Sequence, residues 1–304
     1  MEGGVVAATP GTRIEQTPDE MVLYEVIDPH VARITLNRPH RRNAVLTPDM
    51  NRELVRKIHL AEDDDDVKVI ILAGAGEDFC AGEDIARVPV ETFGLKQQGK
   101  RLPQSPRIHG IQSLQDMSWS LLKCDKTVIA SVQGGALGLG FNLALCCDLI
   151  VAADDATFAR RQTRIGFAGF DMLLPVVLLK LGINRGYEVI LTGRLVSAAD
   201  LERWGVVNAL VPRGDLAEES LRYARAVALH STDGLMIGRQ AKKLFWDMMG
   251  IAQWNDFVNI GHPLFTNLVW RSDEANLLKE RAHSSSSSEA LRRVYQRWED
   301  LGFE

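Results

Sequence analysis

The segment VKVIILAGAG (67–76) is apolar at nearly every position and lacks the alternation of a half-exposed strand. Such a run predicts a strand covered on both faces. TVIASVQG and CDLIVAAD repeat the pattern, and VVNALVP (206–212) closes the series. Between these runs, TPDMNRELVRKIHLAEDD reads as a helix with Thr47 as N-cap and Pro48 at its first position. IHGIQSLQDMSWSLLKC reads as another helix. Nearer the start, residues 21–37 predict two short strands around a turn at Asp28-Pro29, and a basic loop, RPHRRNAV, follows. Residues 87–106 are polar and irregular and predict a loop. Strand and helix alternate up to 212, which predicts crossover units with helices flanking a sheet. From Asp215 onward the pattern is helical. HSSSSSEALRRVYQRWED reads as a polar linker with a serine N-cap that opens a terminal helix. The expected organisation is a disordered leader over 1–20, an α/β core over 21–213 and a helical region over 214–304.

Composition narrows the classes. The 304-residue chain is 46% hydrophobic and 25% charged, as ordinary globular proteins are. A net charge of -5 argues against nucleic acid as the main partner. No stretch of about 20 apolar residues exists to span a bilayer, and MEGGVVAATPGTRIEQ lacks the basic start and apolar core of a secretory signal. Cys80, Cys124, Cys146 and Cys147 sit in apolar surroundings without CxxC spacing. They read as buried free thiols of a cytoplasmic protein rather than as metal ligands.

The chemistry concentrates in GGALGLGFNLALCCD (134–148), a glycine-rich turn between a strand and a helix. A phosphate loop of the Walker type needs a Lys-Ser/Thr pair, and Gly140 is followed by Phe141-Asn142. A dinucleotide fingerprint places Leu143 where its third glycine belongs. An oxyanion hole remains, in which N–H groups at a helix start receive a developing negative charge. Its second donor is expected from FCAGEDI (79–85), just after the strand that ends at Gly74. The competing reading gives these glycines to helix–strand packing alone.

Taken together, NRPHRRNAV, FCAGEDI, VIASVQGGALGLGFNLALCCDLIVAADDATF and EVILTGRLVSAADLERWGVVNALVP resemble, in order and spacing, the enoyl-CoA hydratase/isomerase (crotonase) superfamily over residues 20–285. The resemblance implies an α/β fold, a crotonase-like spiral of ββα units with a C-terminal helical region that trimerises. It implies a homotrimer or homohexamer, an acyl-CoA thioester as substrate, coenzyme A as carrier, and neither metal nor redox cofactor. The enolate oxygen would lie between the backbone N–H groups of Glu83 and Leu139, beside Gly82 and Gly138. Adenine and phosphate contacts map to the Arg42–Ala44 loop and to Ala81, Gly82, Glu83, Asp84 and Ile85. For Asp84 the competing role is a helix cap; for Arg41 and Arg42 it is plain solvation.

Hydratases of this superfamily use two glutamates, and here both aligned positions are amides, Asn142 and Gln162. An amide orients a water or a carbonyl but exchanges no proton near neutral pH. Simple water addition to an enoyl thioester is therefore disfavoured. In the superfamily's ring-opening β-diketone hydrolase, an aspartate aligns with Asp171; in isomerases and dehalogenases it aligns with Phe170. Asp171 is thus the candidate base, with a helix N-cap as its competing role. His109, at the start of the helix after the long loop, and Glu83, beside the oxyanion hole, are further acid–base candidates. Phe245, Trp246, Trp254 and Phe257 recur at helical spacing and read as core or trimer packing, with the wall of a bulky acyl or polycyclic pocket as the competing role. Three functions follow: C–C bond hydrolysis or isomerisation through an enolate, hydration with relocated acid–base groups, or weak acyl-CoA binding.

Overall fold

A computed structural model describes residues 14–15, 20–45, 48–85, 105–169, 173–265, 268, 270–274 and 276–303. Its strands are β1 (Ile14–Glu15), β2 (Val22–Asp28), β3 (Val31–Leu36), β4 (Val69–Gly74), β5 (Thr127–Val132), β6 (Gly135–Leu137), β7 (Leu149–Ala153), β8 (Thr157–Ala159), β9 (Val196–Ser197) and β10 (Ala209–Val211). The helices that flank them are α1 (Asp49–Glu62), α2 (Ser105–Lys123), α3 (Leu139–Cys146), α4 (Leu174–Leu181), α5 (Ile183–Thr192) and α6 (Ala198–Arg203). Five more follow: α7 (Leu216–Ala228), α8 (Thr232–Met248), α9 (Ile251–Phe265), α10 (Leu277–Ala282) and α11 (Ser287–Glu299).

Among the described residues, one sheet runs β1-β2-β3-β4-β5-β7-β10 and a smaller one β6-β8-β9. Strands β3, β4, β5, β7 and β10 are mutually parallel, whereas β1 and β2 join antiparallel at one edge. The apolar run of β4 follows from its position. Ile70 and Leu72 pack into the core shared with Leu54, Ile58 and Leu121, while Val69 and Ile71 face the opposite side, against Leu216 and Ala224 of α7. Successive strand residues point to opposite faces, so a strand covered on both needs no polar position. Each such aliphatic side chain, taken out of water, contributes about 1.5–3 kcal/mol. α7 thus covers the second face of the sheet, and the Ser220–Ser131 hydroxyl contact at 2.9 Å ties it to β5.

Two boundaries differ from the sequence reading. α1 begins at Asp49 with Pro48 in the cap position and no side-chain cap bond, and Thr47 lies outside the described residues. Proline brings no N–H in need of an acceptor there. Residues 86–104 also lie outside them, and α2 already starts at Ser105. Within the span read as a leader, Ile14–Glu15 pairs with β2. The serine cap is as expected: Ser286 accepts from Glu289 N at the start of α11. All four cysteines are buried and free. No helix among the described residues is long and apolar enough to cross a membrane.

Candidate active site

Parallel strands place their following loops along one edge of the sheet, and ligands of open α/β sheets bind there. The loops after β3, β4 and β5 meet at that edge. Ala81 N donates to Arg42 O (2.9 Å), Cys80 N to Gly135 O (2.9 Å) and Leu137 N to Cys80 O (2.9 Å). Asp78 is the hub of this arrangement. Its carboxylate accepts two hydrogen bonds from Arg42, at 2.7 and 2.8 Å, and one from Gly135 N at 2.8 Å. The Arg42 guanidinium holds the Asp78 carboxyl below the usual range, against the opposing effect of burial. Asn43, fully buried at positive φ, donates to Ala75 O (2.8 Å) and Asp78 O (2.7 Å), so the basic loop is stapled to the loop after β4.

Those staples bring Gly82 against the start of α3. Gly82 has φ +92°, and a Cβ placed on it would lie 2.6 Å from Leu137 O and 3.3 Å from Leu139 N. Gly138, at φ 54° and ψ -115°, occupies the cap position of α3, and its N–H donates to Ala159 O at 2.8 Å. Both positions need glycine, one for approach and both for backbone angle. Leu139 is the first residue of α3, where a helix has no internal acceptor for its N–H. The peptide that follows Gly82 and the helix start therefore stand side by side, as an oxyanion hole requires. Gly140 serves packing instead: a Cβ there would lie 2.1 Å from Cys80 O.

An open cleft of about 480 Å³ lies over this pair. Of the residues expected in the site, Arg42, Ala44, Ala81, Gly82, Glu83, Asp84, Ile85, Gly138, Leu139 and Gln162 line it. Asn142 is buried one turn below, and its Oδ1 accepts from Arg160 Nη1 at 3.1 Å. The Gln162 Nε2 lies 3.5 Å from where a Gly138 Cβ would be, and its Oε1 is enclosed without a partner among the described residues. Asp84 is a charge bridge, taking Arg41 at 2.8 Å and Arg38 at 3.4 Å. The arginines of the basic loop thus pair with Asp78 and Asp84, while Arg41 and Arg42 keep exposed flanks toward the cleft. His109 is exposed on α2 and is not among the lining residues. Asp171 lies outside the described residues, and the cap position of α4 belongs to Leu173. Cys80 sits beneath the floor, its Sγ 3.4 Å from Gly82 N; burial pushes its thiol up to about 12, which keeps it protonated and unreactive.

Four features of the site escaped the sequence reading. Arg160 is wholly buried beside Asn142. Arg161 lines the cleft and stacks 4.5 Å over the Tyr295 ring. Ser287, Ser288, Leu291 and Tyr295 of α11 build one wall. The segment before α11 clamps the loop after Gln162, through Leu277 N to Ile165 O (3.1 Å) and Trp270 Nε1 to Gly166 O (2.8 Å). Only the amphipathic pattern of α11 hinted at a buried face there, with no sign of which surface it would meet.

The profile of the enoyl-CoA hydratase/isomerase family matches residues 27–246, and the chain belongs to that family. It is an enzyme of that family with the α/β crotonase fold. The chain is similar to a mevalonyl-coenzyme A hydratase of Aspergillus fumigatus, at 31% identity over 225 residues, covering 74% of this chain and 79% of the relative. A probable enoyl-CoA hydratase of Mycobacterium tuberculosis is 31% identical over 234 residues, covering 76% and 79%. Among solved structures, a probable enoyl-CoA hydratase of Mycobacterium smegmatis aligns with a TM-score of 0.67 at 29% identity, over 80% of this chain and 93% of its own. Another from the same organism reaches a TM-score of 0.77 over 91% and 94%, at 24% identity, a likeness of fold.

Proposed function

We propose that this enzyme binds an acyl thioester of coenzyme A, receives its carbonyl oxygen between the N–H groups of Glu83 and Leu139, and reacts through the resulting enolate. The observation that carries this reading is the apposition of Gly82 and the Leu139 N–H, 3.3 Å from a Cβ that glycine does not have. In a water-excluded oxyanion hole each oriented donor is worth about 3–4 kcal/mol; in this open cleft the acyl chain itself would have to exclude the water. With Asn142 and Gln162 in place of carboxylates, the favoured reactions are C–C bond hydrolysis, of the retro-Claisen kind, and isomerisation. Asp171 is the proposed base.

A second reading, hydration with acid–base groups moved to Asp171, Glu83 or His109, draws support from relatives named as hydratases. Incubation with crotonyl-CoA, a β-ketoacyl-CoA and a cyclic β-diketone, with products identified by mass, separates the two. The first reading expects an acid and a shortened thioester or an opened ring, with negligible hydration. Crotonyl-CoA turnover above about 10² s⁻¹, the range of an efficient enzyme, overturns it in favour of the second.

A further inference from the structure

Arg160 is buried, at 1% exposure, and it lies against Asn142. Its Nη2 donates to Gly169 O at 3.1 Å and its Nη1 to Asn142 Oδ1 at 3.1 Å. Guanidinium has donors only, so this contact fixes which way the Asn142 amide faces. The oxygen of Asn142 is engaged by Arg160, and its Nδ2 makes no hydrogen bond among the described residues. Side chains of a helix lean toward its N-terminus. Asn142, whose N–H donates to Gly138 O at 3.2 Å, thus stands one helical turn beneath the glycine turn, where the proposed function has the thioester carbonyl received.

We infer that Arg160 is a positioning residue, which makes Asn142 a hydrogen-bond donor to an oxygen on the β-carbon of the acyl chain. The substrate class is then a CoA thioester oxygenated at that carbon, with the 3-oxoacyl form as the one cleaved. The inference rests on the enolate reading above. In the reaction, water adds to the β-carbonyl carbon and the carbonyl π pair moves onto the oxygen held by Asn142 Nδ2. Collapse of that adduct breaks the Cα–Cβ bond. Its electron pair enters the enolate held by the Glu83 and Leu139 N–H groups, and the remaining water proton ends on the α-carbon. The balance is one 3-oxoacyl thioester and one water giving one carboxylic acid and acetyl-CoA. No carboxylate is needed at position 142, because that position serves charge rather than proton transfer.

The test is calorimetric titration of the full chain with acetoacetyl-CoA and with butanoyl-CoA, which differ only at the β-carbon, with mass detection of products in the same samples. Wild type is expected to prefer acetoacetyl-CoA by about tenfold or more, one good hydrogen bond. Asn142→Asp keeps the shape and the Arg160 partner but offers only acceptors, and its preference is expected to fall to about 1. Arg160→Met, which frees the amide to turn, is expected to lose the preference, and Arg160→Lys, which retains a donor, to recover part of it. Should Arg160→Met not fold, Asn142→Asp carries the test. Equal binding of both thioesters by wild type, or an unchanged preference in Asn142→Asp, overturns the inference alone. Failure of wild type to bind either thioester overturns it together with the proposed function.

Discussion

Arg42 and Asp78 are joined by two parallel hydrogen bonds, Nε to Oδ2 at 2.7 Å and Nη2 to Oδ1 at 2.8 Å, across 36 positions of sequence. The pair fastens the loop after β3 to the loop after β4, and Gly135 N adds the start of β6. Because the Asp78 carboxyl is lowered in the folded protein, the stability it contributes is fully present above its unfolded value, about 3.9, and is lost as pH falls through the lowered folded value. Asp78→Asn is expected to cost about 1–2 kcal/mol at neutral pH, the low end for charged hydrogen bonds, since the Arg42 side chain is 59% exposed. Denaturant unfolding of wild type and variant across pH should show the gap narrowing below pH ~4. A gap that stays constant into acid would refute the assignment.

Gly82→Ala tests the proposed oxyanion pair. The new methyl meets Leu137 O at 2.6 Å, and φ +92° is strained for any side chain. The expected result is a loss of about 1–3 kcal/mol in stability and, in the folded fraction, at least a ~10²-fold drop in turnover as the Glu83 N–H swings away. Circular dichroism with active-site titration separates the two effects.

Asp171→Asn tests the proposed base. Asparagine keeps the shape and removes the proton acceptor. If Asp171 moves the proton, turnover on the substrate found by product mass should drop ~10²-fold or more with the melting temperature little changed. Turnover like wild type in the well-folded variant would move the role to Glu83 or His109.

The faces of α8 and α9 carry exposed Ile237, Leu244, Phe245, Met248, Phe257 and Ile260, whereas Trp246 turns into the core. Apolar surface on this scale marks association, and a trimer or dimer of trimers is expected. Sedimentation at micromolar concentration checks it; a stable monomer refutes it. Met248→Glu, on that face, should shift the distribution toward monomer.

Local chemistry made much of this architecture legible. The apolar run of β4 announced a strand with two covered faces, and both Ser286 as a cap and Gly138 at a helix start are choices the local backbone imposes. Long-range pairing left no such trace. Arg160 sits in the stretch FARRQTRIG, where charge reads as solvation, and its partner Asn142 lies 18 residues earlier. Arg42 was legible as a cleft residue, but Asp78, which orients it, belongs to no periodic pattern. Asp84 serves as a counter-ion because Arg38 and Arg41 close on it from another loop, a fact that spacing within FCAGEDI does not encode.

The cleft wall made by Ser287, Ser288, Leu291 and Tyr295 is the part of the site that leaves the ribosome last. The sheet, both glycine turns and the Arg42–Asp78 clasp are all translated earlier. During synthesis the chain therefore carries Gly82 and Leu139 before it has the α11 wall of the cleft. A cut between Ser286 and Ser287 would leave the Gly82–Leu139 apposition in place and sever the covalent tie between that wall and the rest of the cleft.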